Sequence, residues 1–174
     1  MKTCNQKIPE LNKLGDLIKD MSVGMLTTLN SHNALVSRPM AALELDGDGA
    51  LWFFTDKNSE KVESLNTMNL SFTDEGDGTY VSLSGRGELH SNPERIKELW
   101  TSFAKPWFPD GPDSPNLVML KFVPNTAEYW DAPHSKMVRM FAMAASITAG
   151  RPIGMGEHDT LTQLSEPSSQ SNKL

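Results

Sequence analysis

The sequence predicts a mainly β protein, an antiparallel barrel of about six strands with a few flanking helices. Three observations support this prediction. Short stretches rich in apolar residues recur along the chain, turns containing Gly, Asp or Asn separate many of them, and helical patterns fall between only a few. Strands joined mostly by hairpins favour an antiparallel barrel, whereas a doubly wound parallel sheet needs a helix after nearly every strand.

The first part of the chain is expected to contain an amphipathic helix and three strands. Apolar residues recur at helical spacing over residues 8–21. Proline cannot donate a ladder hydrogen bond, so Pro39 should break the long second strand. A "GDG" turn at 47–49 links the second strand to the third. The predicted strands are 23–30, 34–46 and 50–56, and a short helix over 58–67 follows them.

The second part is expected to contain three further strands and two helices. A second "GDG" predicts another hairpin, and "GRG" at 85–87 predicts a strand bend or bulge. Ser91 and Glu94 fit a capping box at the start of a helix. The predicted elements are strands 69–75 and 79–90, a helix over 91–103, a proline-rich loop over 105–115, a strand over 116–131 and a helix over 135–150.

Length and composition favour one domain over residues 1–150 in a chain of 174 residues. Residues 151–174 are rich in Gly, Ser, Pro and Gln, which predicts a disordered tail. The net charge of −6 disfavours a nucleic-acid-binding surface, and no apolar run is long enough to cross a bilayer. Cys4 is the only cysteine, so no internal disulfide can form and a cytoplasmic location is expected. No histidine has a partner at zinc spacing, so no metal site is expected.

Arg38 is the first candidate functional residue. Period-two alternation places it on one strand face with Val36 and Met40, and a lone arginine on an apolar face needs an anionic partner. That partner is either a carboxylate such as Glu44 or a phosphate, which a guanidinium can bind through two parallel hydrogen bonds. Considered alone, the pattern favours the carboxylate.

The stretch "LWFFTDKNSEK" at 51–61 adds a second candidate. Ser59 falls in the first turn of the expected helix with Lys61 beside it, and a helix N-terminus with a hydroxyl and a lysine can bind an anion. The alternative is a solvated helix start with Lys61 paired to a nearby glutamate. The strand before it is the expected hairpin partner of the strand that carries Arg38, and their convergence favours a phosphate.

Two tryptophans lie outside the periodic apolar stripes. Trp107 falls in the proline-rich loop, and Trp130 ends the last long strand. Either could form an aromatic wall beside a planar ligand, although a loop tryptophan also commonly packs over the core. Trp52 and Trp100 fit core positions.

The order of these motifs resembles one known family. "VGMLTTLN", "SRPM", "FFTD" followed by "SEK", and the "KPWFPDGPDSP" loop are arranged as in the general stress protein 26 branch of the pyridoxamine 5′-phosphate oxidase-like flavoproteins, over residues 8–140. The resemblance implies an FMN-binding split β-barrel of six antiparallel strands in Greek-key order. It also implies a homodimer with the flavin in a cleft between subunits; FAD is the second possible cofactor.

The resemblance also implies roles for individual residues, none of them catalytic. Pyridoxamine oxidation itself is not expected. Glu60 stands where the pyridoxamine phosphate oxidases have a basic residue, and their C-terminal Arg-x-His segment is not evident in this sequence. The expected function is an FMN-dependent oxidoreductase of unknown substrate; a flavin store or sensor and a cofactor-free interaction module are the alternatives. The implied contacts are Arg38, Pro39 and Met40 along the flavin edge, Phe53, Phe54 and Thr55 against the isoalloxazine ring mostly through their backbone, Ser59 and Lys61 on the phosphate, and Trp107 and Trp130 near the flavin.

Overall fold

One curled sheet of nine strands, with two helices packed against it, makes up the described part of the chain. The strands are β1 (Lys2–Thr3), β2 (Val23–Leu29), β3 (Leu35–Ala41), β4 (Glu44–Leu45), β5 (Leu51–Asp56), β6 (Met68–Asp74), β7 (Thr79–His90), β8 (Leu117–Asp131) and β9 (Glu157–Thr162). The helices are α1 (Pro9–Ile18) and α2 (Pro93–Leu99). This computed structural model describes residues 1–59, 64–131, 143, 146–147, 156–162 and 164.

The strand order is β1-β4-β5-β8-β7-β6-β2-β3, and only the β1–β4 pair is parallel. The long strand β8 pairs along one edge with β7, and along the other edge with β5 in its first half and β9 in its second. Strands β3 and β4 stand near opposite ends of this order but are consecutive in sequence. The sheet therefore curls until Cα atoms of β3 and β5 approach within 8 Å.

Helix α1 covers one end of the curled sheet. Its apolar stripe is buried in the main core through Leu11, Leu14 and Ile18. Leu11 also fixes the neighbouring hairpin turn, because Gly49 has a positive φ of 79° and a side chain there would collide with Leu11. The predicted helix over 8–21 and the first "GDG" turn are both confirmed.

The sheet buries two apolar clusters on its two sides. The main core lies inside the curl and includes Phe53, Phe72 and Phe122 among its fully buried side chains. A smaller cluster lies on the other side of β5, where Trp52 packs with Ile96 and Leu99 of α2. Strand β5 is thus covered on both faces, which explains its run of four bulky residues.

The six predicted strands all form, but the second is divided differently from the prediction. β3 runs through Pro39, which pairs with Met25 of β2. Proline is compatible with this position because β3 is the last strand in the sheet order, so one edge has no strand partner in the described part of the chain. The break falls instead at Ala42–Leu43, and the residues after it form β4.

The structure adds a strand at each end of the chain, and one of them corrects a prediction. Residues 157–162, assigned to a disordered tail, form β9 because the second half of β8 offers a free edge and Leu164 is buried in the main core. At the other end, Lys2 and Thr3 form the unpredicted strand β1, which pairs with β4. The predicted bulge at 85–87 is confirmed by a register shift between Ser84 and Gly85.

Two predicted helices differ from the structure. Of the helix predicted over 58–67, residues 60–63 lie outside the described residues; residues 64–67 are not helical, because the Leu65 carbonyl accepts a hydrogen bond from the Gly87 N–H of β7 and Leu65 packs on the core. Helix α2 is shorter than predicted, and Asn92 rather than Ser91 caps it by accepting bonds from the N–H groups of Glu94 and Arg95. The predicted helix over 135–150 lies outside the described residues, apart from residues 143, 146 and 147.

Candidate cofactor-binding cleft

The chain switches strand partners between two adjacent residues. The Ala42 N–H donates to the Ser22 carbonyl next to β2, at 2.9 Å, whereas the Leu43 N–H donates to the Trp52 carbonyl of β5, also at 2.9 Å. Before this point the chain pairs with β2, and after it the chain pairs with β5. The space between β3 and the second half of β5, called the cleft below, opens from this point.

Arg38 and Met40 project from β3 on its inward face. Val36, Arg38 and Met40 are the more buried residues of the strand, alternating with exposed neighbours as the sequence predicted. Arg38 stands opposite Leu26 of β2, which is fully buried. Within the described residues, the half-buried Arg38 side chain forms no hydrogen bond or ion pair. A half-buried guanidinium without an anionic partner is energetically unfavourable, so it marks a place where an anion would bind.

The carboxylate proposed for Arg38 is engaged elsewhere. Glu44, only 1% exposed, binds the guanidinium of Arg95 and lies 3.4 Å from the Lys2 ammonium. The prediction that Glu44 partners Arg38 is therefore wrong. The reason is the break at Ala42–Leu43, which places Glu44 in β4 and ends the face that Arg38 shares with Met40.

The β5 side of the cleft offers backbone groups. The Trp52 carbonyl faces β4, and the Lys57 N–H on the opposite side donates to Asn116 at 2.9 Å. Because neighbouring residues of a strand point their polar groups to alternate sides, the N–H and C=O of Phe54 face away from β8. β4 pairs only with Leu51 and Trp52, so the Phe54 backbone has no strand partner in the described chain.

The side chains on the β5 wall pack into the protein. Phe53 is fully buried in the main core, and Thr55, two residues further along β5, is also buried. Phe54 packs against Trp100, with 5.7 Å between ring centroids, on the side of α2. These side chains therefore fix the strand, and the backbone of Phe54 is the part of β5 that remains available to a ligand in the described chain.

Ser59 follows β5 in a turn. Its N–H donates to the Asp56 carbonyl at 3.1 Å, and the Asp56 side chain accepts from the Asn58 N–H at 2.7 Å. Ser59 is half-buried, and the structure does not show it in a helix. Lys61 and Glu60 lie outside the described residues, so the predicted meeting of Arg38, Ser59 and Lys61 remains a prediction.

Both tryptophans are exposed, and Trp130 lies far along β8 from the cleft of its own chain. Trp107 is 75% exposed; its neighbour Phe108 packs on the α2 side of β5, so the prediction of a core-covering tryptophan fits Phe108 instead. Trp130 is 42% exposed near the end of β8, whereas Thr55 of the cleft pairs with Val118 near its start. The separation is roughly 40 Å along the strand, so Trp130 does not line the cleft of its own chain.

A network of charged side chains holds β4, the strand that follows the break at Ala42–Leu43. Glu44 also accepts a hydrogen bond from the Cys4 thiol at 3.1 Å, and this bond is the main reason that the pKa of Cys4 is raised. Arg95 binds Glu98 at 2.6 Å, and Lys2 binds Glu98 at 3.3 Å; these two cations lower the pKa of Glu98. Sequence reasoning missed this network because its members are distant in sequence and belong to β1, β4 and α2.

A cavity of about 330 Å³ lies outside the candidate site. It is lined mainly by the end of α1, the β6–β7 turn and the end of β8, and its aspartates disfavour an anionic ligand. Its charged lining residues are Lys13, Asp16, Lys19, Asp20, Asp74, Asp77 and Asp131.

Over the described ranges, no group of acidic, histidine or cysteine side chains could hold a metal ion. None of the helices described is long and apolar enough to cross a bilayer.

The curled sheet, opened where β3 and β5 diverge, defines a split-barrel protein. Comparison with known proteins assigns the family: the model of the pyridoxamine 5′-phosphate oxidase-like family matches residues 9–153, and the chain belongs to this family.

Three relatives support this assignment. General stress protein 26 of Bacillus subtilis is 31% identical over 127 residues, which cover 69% of this chain and 87% of that protein. The crystal structure of a candidate general stress protein 26 from Jannaschia sp. CCS1 has a TM-score of 0.70 at 26% identity, covering 87% of this chain and 96% of the other. The general stress FMN/FAD binding protein of Xanthomonas citri has a TM-score of 0.61 at 27% identity, covering 72% and 90%.

Proposed function

We propose that this protein binds FMN in the cleft between β3 and β5 and acts as a flavin-dependent oxidoreductase. The observation that carries the proposal is the Arg38 guanidinium on the inward face of β3, which has no anionic partner among the residues that the structure describes. The family supports a flavin ligand, and the Xanthomonas citri relative is described as an FMN/FAD binding protein.

The cleft residues fit this ligand in two respects. Arg38 provides a positive charge that no carboxylate neutralises in the described residues, which suits the phosphate of FMN. The Phe54 backbone provides a free donor and a free acceptor at a strand edge, which suits the polar edge of an isoalloxazine ring. FMN rather than FAD is proposed because the described part of the cleft offers one guanidinium, Arg38, which suits the single phosphate of FMN.

A bound flavin would supply the redox chemistry, since it carries hydride and single-electron transfers that side chains do not perform. The residues of the chain bind and orient it. Phe53 and Thr55 hold β5 in place by burial, and Arg38 anchors the anionic end of the ligand. No side chain of the cleft is assigned as an acid or a base.

A second copy of the chain is the proposed partner. The exposed face of the sheet formed by β3, β2, β6, β7, β8 and β9, called the outer face, carries two complete cross-strand rows with a single charged residue, Glu128. In a chain with 22% charged residues, such a face is typical of an interface. The two rows are Pro39, Met25, Ser71, Ser82, Glu128 and Thr160, and Ser37, Thr27, Asn69, Ser84, Thr126 and Thr162.

The test begins with the purified full-length protein. Its visible spectrum should show flavin absorption, either directly or after incubation with FMN, and extraction followed by chromatography should identify FMN. Anaerobic mixing with NADH or NADPH should then bleach the flavin. Flavin bound but not reduced by any donor would favour a store or sensor. A protein that takes up no flavin would contradict the proposal and favour an interaction module.

A further inference from the structure

The indole of Trp130 is stacked on the imidazole of His158. The ring centroids are 4.8 Å apart and the planes differ by 12°, so the two rings are nearly parallel. The residues are directly opposite each other in the β8–β9 ladder. Tyr80 of β7 flanks Trp130 on its other side, and all three side chains are exposed on the outer face. Only the His158 contact is a parallel stack among the described ring pairs.

Strand β9 is anchored so that His158 is held at a fixed position. Leu161 packs on the main core, and the N–H of the buried Leu164 donates to the Asn125 carbonyl at 3.3 Å. At the other end of β9, the carboxylate of Glu157 lies 3.4 Å from the Lys13 ammonium of α1. A strand held at both ends presents its side chains to β8 in one register.

The alternation along β9 places both carboxylates of the strand on one side. Glu157, Asp159 and Leu161 share the side that faces α1 and the core. His158, Thr160 and Thr162 share the other side and extend the outer face by one strand without adding a carboxylate. A polar C-terminal segment thus adds no carboxylate to the surface that is proposed to meet a second copy.

We propose that His158 is a positioning residue: it fixes the orientation of the Trp130 indole, and β9 thereby completes the surface through which Trp130 reaches the flavin of the second copy. The link between Trp130 and the flavin rests on the proposed function. Trp130 lies far along β8 from the cleft of its own chain, so the flavin in question is the one bound by the second copy. An exposed indole without a stacking partner would sample several rotamers. A planar neighbour that covers one ring face restricts it to one orientation.

The test compares full-length wild type with His158→Ala and His158→Phe. Asp159→Asn is the matched control, because it alters the same strand on the side away from Trp130. Near-ultraviolet circular dichroism reports how rigidly the indole is held, and a Trp130→Phe variant identifies the part of the signal that belongs to Trp130. FMN affinity is measured on the same samples by quenching of flavin fluorescence.

The expected result is that His158→Ala loses the Trp130 signal and weakens FMN binding roughly 2- to 10-fold, the range that an aromatic pair contributes. His158→Phe should restore both readouts, and Asp159→Asn should change neither. An unchanged Trp130 signal in His158→Ala would overturn the positioning role. A lost signal with wild-type FMN affinity would overturn the link to the flavin. If the wild type binds no FMN, the proposed function fails and takes the flavin link with it, while the dichroism still decides whether His158 orients the indole.

Discussion

Arg95 binds the carboxylate of Glu44, and this contact determines how Arg38 is interpreted. The sequence offered Glu44 as the ordinary partner of Arg38, but the guanidinium of α2 occupies that carboxylate. Arg38 is left on the wall of the cleft without an anion in the described residues. The ion pair between β4 and α2 thus holds the helix against the sheet. It also leaves Arg38 available to an anionic ligand.

Replacing Arg95 by alanine should destabilise the protein strongly. The change leaves the Glu44 carboxylate, 1% exposed, with Lys2 as its remaining cation. Removing one partner of a buried pair typically lowers the free energy of unfolding by about 3 kcal/mol. Chemical denaturation would measure the loss. Lys97→Ala on the same helix is the control, because its pair with Asp113 is exposed on both sides and should contribute less than about 1 kcal/mol. Equal losses in the two variants would contradict the role of Glu44.

The thiol of Cys4 should react slowly with alkylating reagents in the native protein. Its hydrogen bond to Glu44 raises its pKa, so fewer molecules carry the reactive thiolate at a given pH. The native state therefore holds the thiol proton more tightly than the unfolded state. The resulting stabilisation is present below the unfolded-state pKa and is lost as the pH rises through the native-state pKa.

Alkylation rates across a range of pH check this prediction. The midpoint for native protein should lie above that for protein unfolded in denaturant. Glu44→Gln should shift the native midpoint downwards, whereas Glu98→Gln, which leaves the contact between Cys4 and Glu44 in place, should shift it little. Coincident midpoints for native and unfolded protein would show that the hydrogen bond has no effect on the thiol.

A charge introduced on the outer face should weaken self-association. Met25 is exposed on β2, the second of the six strands of this face, and pairs with Pro39 and Ser71. Met25→Glu would add a carboxylate to a face whose two rows carry Glu128 and no lysine or arginine, and burying it in the interface without a cation opposite should cost several kcal/mol. Light scattering should show a dimer for the wild type and a monomer for the variant. Leu89→Glu, an exposed apolar position outside the outer-face rows, should remain dimeric. A monomeric wild type would contradict the shared cleft itself.

Much of the fold could be predicted from local patterns. All six predicted strands form because their apolar alternation and the turns at Gly49 and Gly78 are encoded within a few residues. The short strands β1 and β9 were missed, since their sequences are polar and they form only where β4 and β8 offer free edges. Such pairing depends on the assembled sheet and leaves little trace in the sequence.

The site was also predicted only in part, because local alternation can be read from the sequence whereas the pairing of distant strands cannot. The inward direction of Arg38 follows from period-two alternation, and the sequence predicted it correctly. The expected hairpin with β5 forms only through β4, because the part of the predicted strand that carries Arg38, β3, pairs with β2 instead. The switch at Ala42–Leu43 depends on hydrogen bonds to two separate strands, so sequence spacing could not reveal it. The pairing of Arg95 with Glu44 was equally inaccessible.

The central claim is that Arg38 holds an anionic flavin, and a titration with FMN tests it most directly. Calorimetry on wild type and Arg38→Ala should show FMN affinity falling about 10- to 100-fold in the variant, as expected for a lost charge-assisted hydrogen bond. Affinity for riboflavin, which lacks the phosphate, should change much less. Arg86→Ala is the control, since Arg86 already pairs with Glu88. Undiminished FMN binding by Arg38→Ala, or no FMN binding by the wild type, would contradict the account.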